Sequence, residues 1–146
     1  MTSLAISSRL EPARGQLRRT RERLADTRAL HGAIGLEFTA WAERNFAAEG
    51  MLLDDFPSGW PGLSAATLAR RRRGAGARIL YRTGRLAHGT VAVPGADGVV
   101  VDNPVPYAPV HQIGQGVPRR PVLPGPAQAK RLALPIVEDH VRRALS

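Results

Sequence analysis

Thr90-Val91-Ala92-Val93-Pro94-Gly95-Ala96-Asp97-Gly98-Val99-Val100-Val101-Asp102 is the stretch on which the fold class depends. Two short runs of β-branched residues, 90–93 and 99–102, flank a centre containing Asp97-Gly98. That dipeptide supplies the backbone freedom a hairpin turn demands, and Pro94 and Gly95 lengthen the turn. The stretch therefore predicts an antiparallel ribbon. A lone ribbon is marginal in water, so a further strand is expected, from residues 79–82 or 132–134, together with helices that cover one face. The class read from this is α+β, an antiparallel sheet packed by helices.

Upstream, Leu10, Leu17 and Leu24 recur every seven residues among arginines, which predicts a narrow amphipathic helix interrupted near Pro12 and Gly15. Its thin apolar stripe needs a neighbour to rest on. From Thr27 to Glu49, Leu30, Ile34, Phe38, Trp41 and Phe46 fall near one helical face. This is the expected core helix, capped by Asp26 or Thr27 and ended by Gly50. Residues 54–62 are rich in turn formers and predict an ordered loop pinned by Trp60. Ser64 is a candidate cap for a short helix running to Arg73, after which Gly74-Ala75-Gly76 predicts a flexible loop.

Downstream, the Asn103-Pro104-Val105-Pro106 segment must be extended. Residues 107–113 read as a helical turn closed by Gly114. Four prolines in 115–126 predict an extended arm lying on a surface. Pro135 suits the first position of a last helix, with acidic residues early, Arg142 and Arg143 late, and a buried face of Val137, Val141 and Ala144 or Leu145.

A chain of 146 residues holds one core, so residues 1–146 read as one domain with a mobile N-terminus and a flexible arginine-rich loop near 70–78. Hydrophobic content is an ordinary 43%, but only 5% of residues are aromatic, which makes Phe38, Trp41, Phe46 and Trp60 disproportionate packing anchors. The absence of cysteine excludes disulfides and thiolate metal sites. No apolar run approaches the roughly 18 residues that span a bilayer, so no membrane partner is expected. Net charge is +9, with Lys130 the sole lysine. Arginine makes planar, bidentate contacts to carboxylate or phosphate, pointing to an acidic partner surface or nucleic acid; the competing source of the general excess is codon usage with no binding purpose.

No residue set reads as catalytic. His31, His88, His111 and His140 share no i, i+4 spacing, and His111 has neither a serine nor an acid close in sequence. Asp54 and Asp55 lack further ligands at metal spacing. Gly74-Ala75-Gly76 and Gly114-Gln115-Gly116 lack the lysine of a phosphate loop. The expectation is no enzyme, no cofactor and no metal.

Two motifs flank the ribbon. Ile79-Leu80-Tyr81-Arg82-Thr83-Gly84-Arg85-Leu86 precedes it, and Tyr107-Ala108-Pro109-Val110-His111-Gln112-Ile113-Gly114 follows. With Gly59-Trp60-Pro61-Gly62-Leu63-Ser64 and Thr67 upstream, and Arg120-Pro121-Val122-Leu123 downstream, the series resembles the phage virion morphogenesis family, small tail-completion proteins of contractile-tailed phages. Where the family commonly continues with an aromatic-leucine-glycine step, this chain has Val122-Leu123-Pro124-Gly125. The resemblance implies a fold like that of neck and tail-terminator proteins, acting as a closed, sixfold ring. It also implies tail tube and neck or connector proteins as partners, DNA passing through the lumen, and a place in the virion after assembly in the host cytoplasm. Under it, Arg70, Arg71, Arg72, Arg73 and Arg78 are expected to form a basic loop facing a partner or DNA. Arg82, Arg85, Arg119 and Arg120 are candidate interface residues, and Trp60, Tyr81, Thr83, Gly84, Tyr107, His111, Gly114 and Pro121 set the fold. The alternative is a freestanding basic nucleic-acid-binding protein, though no helix-turn-helix, zinc or RNA-binding signature accompanies the arginines.

Overall fold

The computed structural model describes residues 2–71 and 76–146, with side chains from residue 10 onward. The chain order is α1 (Thr2–Ala25), α2 (Thr27–Ala47), α3 (Ala65–Arg70), β1 (Val91–Pro94), β2 (Val99–Asp102), α4 (Ala108–Ile113) and α5 (Pro126–Leu145). This is a small α+β domain, as the hairpin predicts.

β1 and β2 pair antiparallel, Val91 opposite Asp102 and Pro94 opposite Val99. The expected third strand does not occur among the described residues: Ile79 and Leu80 lie in a turn, and 132–134 are helical. Helix α2 takes its place by packing across the ribbon. The close approach is set at Gly35, where an added Cβ would stand 2.8 Å from Ala92 Cβ and 3.2 Å from Val99 Cγ2. Thr27 Oγ1 donates to Ala96 O, and one ring nitrogen of His31, Nδ1, lies 2.8 Å from Gly95 O. The helix start thus clasps the hairpin loop, and neither Asp26 nor Thr27 forms the side-chain cap expected.

Trp41 and Phe46 of α2 are buried with Leu53, Trp60, Leu86, Ala87, Val105, Ala108 and Val122. After α2 the chain coils through successive turns and closes with Trp60 N–H donating to Glu49 O. Gly50 sits at φ +89°, and a Cβ there would lie 2.4 Å from the Trp60 ring. Only glycine permits both that backbone and that contact. The indole lies edge-on to Phe46, with ring centroids 5.2 Å apart.

Both terminal helices are longer than the prolines suggest. α1 runs through Pro12 and Gly15 without a break; proline removes one i→i−4 bond but Leu10, Ala13, Arg14, Leu17 and Arg18 around it are good helix formers. α5 begins at Pro126, not Pro135, which lies inside it. Pro126 already fits a first helical turn, and Gln128 anchors that turn by donating to Leu52 O while accepting from Asp54 N. The inward stripe of α5 consequently runs from buried Gln128 through half-buried Leu132, Ile136 and His140 to buried Ala144, whereas Val141 and Leu145 are exposed. α5 packs on α1 and α2, yet Leu10, Leu17 and Leu24 remain 46%, 70% and 37% exposed.

Two glycines of α2 give opposite expectations for one chemical change. An added Cβ at Gly32 meets nothing within 4 Å, so Gly32→Ala stabilises by about 0.5–1 kcal/mol through helix propensity. Gly35→Ala forces the ribbon outward, and overpacking of about 1–3 kcal/mol exceeds that gain. Thermal melts of the two variants should shift in opposite directions; a rise in both would contradict the packing of α2 on the hairpin.

Candidate interaction groove

The extended segment after α4 is locked onto the body by three side chains. Trp60 Nε1 donates to Pro121 O (3.1 Å). Gln112 Oε1 accepts from Val122 N (2.8 Å) and Leu123 N (3.0 Å), and its Nε2 donates to Leu123 O (3.0 Å). The amide thus does for the segment what a paired strand would do. Arg120 Nε donates to Pro61 O (2.8 Å) and its Nη2 to Gly62 O (2.7 Å). Pro121 and Val122 are fully buried, so residues 120–123 belong to the core of their own chain, while the rest of the 115–126 arm lies outside it.

This docking makes one wall of a groove of about 710 Å³. Gly62, Leu63, Ser64, Thr67 and Arg71 form a second wall, Leu80 and residues 82–86 a third, and Tyr107 and His111 of the α4 turn complete it. Arg71, Arg82, Arg85, Arg120 and His111 all line it, with no aspartate or glutamate among the described residues. Burial, and then the charge of Arg71, depresses the Arg120 guanidinium below the usual arginine range. His111 is likewise held below 6.5, first by burial and then by Arg120; its Nδ1 is buried without a protein partner.

The expected fold-setting residues converge on two places. Trp60, His111, Gly114 and Pro121 surround the docked segment: His111 O accepts from Arg120 N (2.9 Å), and Gly114 closes α4 in the left-handed conformation. Tyr81, Thr83 and Gly84 form the turn opposite, where Tyr81 OH lies 3.1 Å from His88 Nε2. Tyr107 is 41% exposed and stands edge-on to His111.

The arginines separate into distinct environments. Arg70 ends α3 in solvent, and Arg71 caps it, folding back to donate to Arg78 O (2.7 Å). Arg78 in turn stacks over Tyr81, 4.1 Å from the ring centroid. Arg72 and Arg73 lie outside the described residues, as do Gly74 and Ala75 of the expected flexible loop. Arg82 and Arg85 are exposed at the groove. Arg119 pairs with Asp55 (3.6 Å) and lies over Phe56, and Asp54 pairs with Arg131, so both members of the carboxylate doublet face arginines. Arg120 alone among the candidate interface residues is buried, at 6% exposure.

Sequence reasoning missed Gln112 and the clamping role of Arg120. An Arg-Pro dipeptide after a Gly-rich turn carries no sign that distant carbonyls await its guanidinium. Neither Asp102 nor Glu49 lines the groove with His111; Glu49 Oε1 accepts from Ile79 N instead (2.8 Å).

Removing the guanidinium strands two carbonyls, so Arg120→Ala should cost about 2–3 kcal/mol in urea unfolding; a loss within experimental scatter of zero would show the clamp to be incidental. A pH dependence follows from His111. The unfolded chain binds its proton near pH 6.5 while the folded chain resists, so the unfolded state holds more protons below that pH and stability falls as pH drops. Urea unfolding between about pH 7 and about pH 5 should show a shallower decline for His111→Gln than for the unaltered chain. Parallel declines would place the acid sensitivity elsewhere.

No curated protein and no solved structure matches the chain. The phage virion morphogenesis family matches residues 8–143, a span that includes every wall of the groove, the hairpin and most of each terminal helix. The match covers almost the full length, and the chain belongs to the phage virion morphogenesis family.

Proposed function

We propose that this chain completes or terminates the phage tail and forms part of a closed ring, six copies around, at the head–tail joint. The observation that carries the reading is the family match over residues 8–143, which makes the protein a part of virion construction. Several surfaces support the ring. A closed ring of identical subunits needs two different complementary faces on each. One available face is the outer side of the hairpin, where Val91, Val93 and Val100 are 45%, 64% and 68% exposed. Another is the stripe of Leu10, Leu17 and Leu24 on α1. Isolated exposed leucines are ordinary, but a contiguous valine patch on a sheet face suggests a partner.

Charge gives the ring a second requirement. A subunit charge of +9 repeated around a closed ring repels itself unless acidic tail or neck proteins, or DNA in the lumen, neutralise it. Arg70 to Arg73 and Arg78 are the proposed basic segment, and Arg82, Arg85, Arg119 and Arg120 the proposed interface.

Phage lacking the gene should accumulate heads and tails that fail to join, with joining restored by the unaltered chain supplied in trans. Val93→Glu with Val100→Glu, which places carboxylates on the exposed hairpin face while leaving the core untouched, should fold normally and restore fewer than about one in ten particles. Electron microscopy and infectivity counts provide the measure. Normal particles in the absence of the chain would overturn the proposal. For a freestanding nucleic-acid binder, DNA affinity should instead fall with a log-log salt slope near −0.9 per phosphate contact, independently of tails.

A further inference from the structure

Among the described residues, every charged position that lines the groove is cationic and none is acidic. Four arginines and His111 line it, while Asp54 and Asp55 face Arg131 and Arg119, and Glu49 holds the Ile79 amide. Arg120 cannot swing away, because Pro61 O and Gly62 O grip two of its nitrogens. Arg71 is similarly tied to Arg78 O. Arg120 and Arg71 are thus ordered in the free protein, and the cost of fixing them is already met, while Arg82 and Arg85 stand exposed at the mouth.

The remaining lining decides which anion. Leu63, Leu80, Leu86, Val117 and Pro118 present aliphatic surface between the charges. Nucleobases are held by stacking on aromatic faces, and Tyr107, the one aromatic ring besides His111 among the described lining residues, stands edge-on to that histidine. Aliphatic walls suit amino-acid side chains, and a volume near 710 Å³ accommodates a few residues of an extended chain.

We infer that the groove takes an extended acidic peptide segment of a neighbouring virion protein, with carboxylates on Arg82, Arg85 and Arg120 and an aliphatic side chain between Leu63, Leu80 and Leu86. The identity of the donor as a virion protein rests on the assembly reading; the chemistry of the groove does not. The forks of Arg82 and Arg85 can pair bidentately with carboxylates, whereas Arg120, its Nε and Nη2 already on carbonyls, contributes its charge and its remaining N–H groups. Unlike a diffuse basic surface, this site discriminates between acidic peptides by where their apolar residues fall.

The test uses fluorescence anisotropy with the full chain and three labelled probes: a ten-residue peptide alternating glutamate and leucine, the same peptide with glutamine for glutamate, and a deoxythymidine decamer. Two variants of equal charge separate the groove from net charge. Arg82→Gln with Arg85→Gln alters its exposed mouth, and Arg19→Gln with Arg21→Gln alters α1. The glutamate peptide should bind at least about tenfold more tightly than the glutamine peptide. It should lose about tenfold in the groove variant and less than about twofold in the α1 variant. Absence of binding, equal losses in both variants, or a decamer that binds more tightly and is the probe lost in the groove variant would each overturn the inference. Lost peptide binding alongside normal dependence of particles on the chain sinks the groove alone; intact peptide binding with particles complete in its absence sinks the assembly reading alone.

Discussion

Docking of residues 120–123 onto the body is the constraint from which the rest of the architecture follows. An extended segment carries unpaired amides and carbonyls into the interior, and each must find a partner. Here the partners are side chains: Gln112 pairs with Val122 and Leu123, and Trp60 takes the Pro121 carbonyl. Trp60 can reach that carbonyl because Gly50 has no side chain to hold the indole away from the turn. Arg120 then extends in the other direction to Pro61 and Gly62. One tryptophan and one arginine therefore staple the loop after α2 to the segment before α5.

The groove is a consequence of that staple. Because Arg120 is committed to carbonyls, its charge remains uncompensated, and Arg71 nearby makes the deficit larger. Burying a charged group without a counter-ion is costly, and the protein retains the arrangement although Asp54 and Asp55 serve other arginines. Such uncompensated charge in a cleft makes it a candidate place for another molecule to complete. Contacts of this kind, specific only when a neighbour supplies the missing sign, suit virion construction.

The hairpin, the core helix and the anchoring role of Trp60 were legible because each rests on local chemistry: Asp97-Gly98 between valines, aromatics at helical spacing, an indole among turn formers. The α4 turn ended by Gly114 was legible for the same reason. What escaped were features decided by tertiary contact. Pro135 carries the same helix-start signal as Pro126, and only the Gln128 bonds to Leu52 and Asp54 select the earlier one. The missing strand is replaced by α2 across Gly35, a residue that in sequence is merely a poor helix former. Arg120 read as surface because arginine usually is, and nothing nearby announces the two carbonyls 58 and 59 residues upstream. The motif order from Trp60 to Pro121 nevertheless pointed to the family, since the residues it contains are those that close the staple and line the cleft.

Cryo-electron microscopy of intact particles, carried to side-chain detail at the head–tail joint, tests the account most directly. The account predicts this chain in a closed ring there, with an acidic segment of a neighbouring protein lying along Arg82, Arg85 and Arg120. A joint built without this chain, or a ring whose groove faces open solvent in every copy, would contradict it.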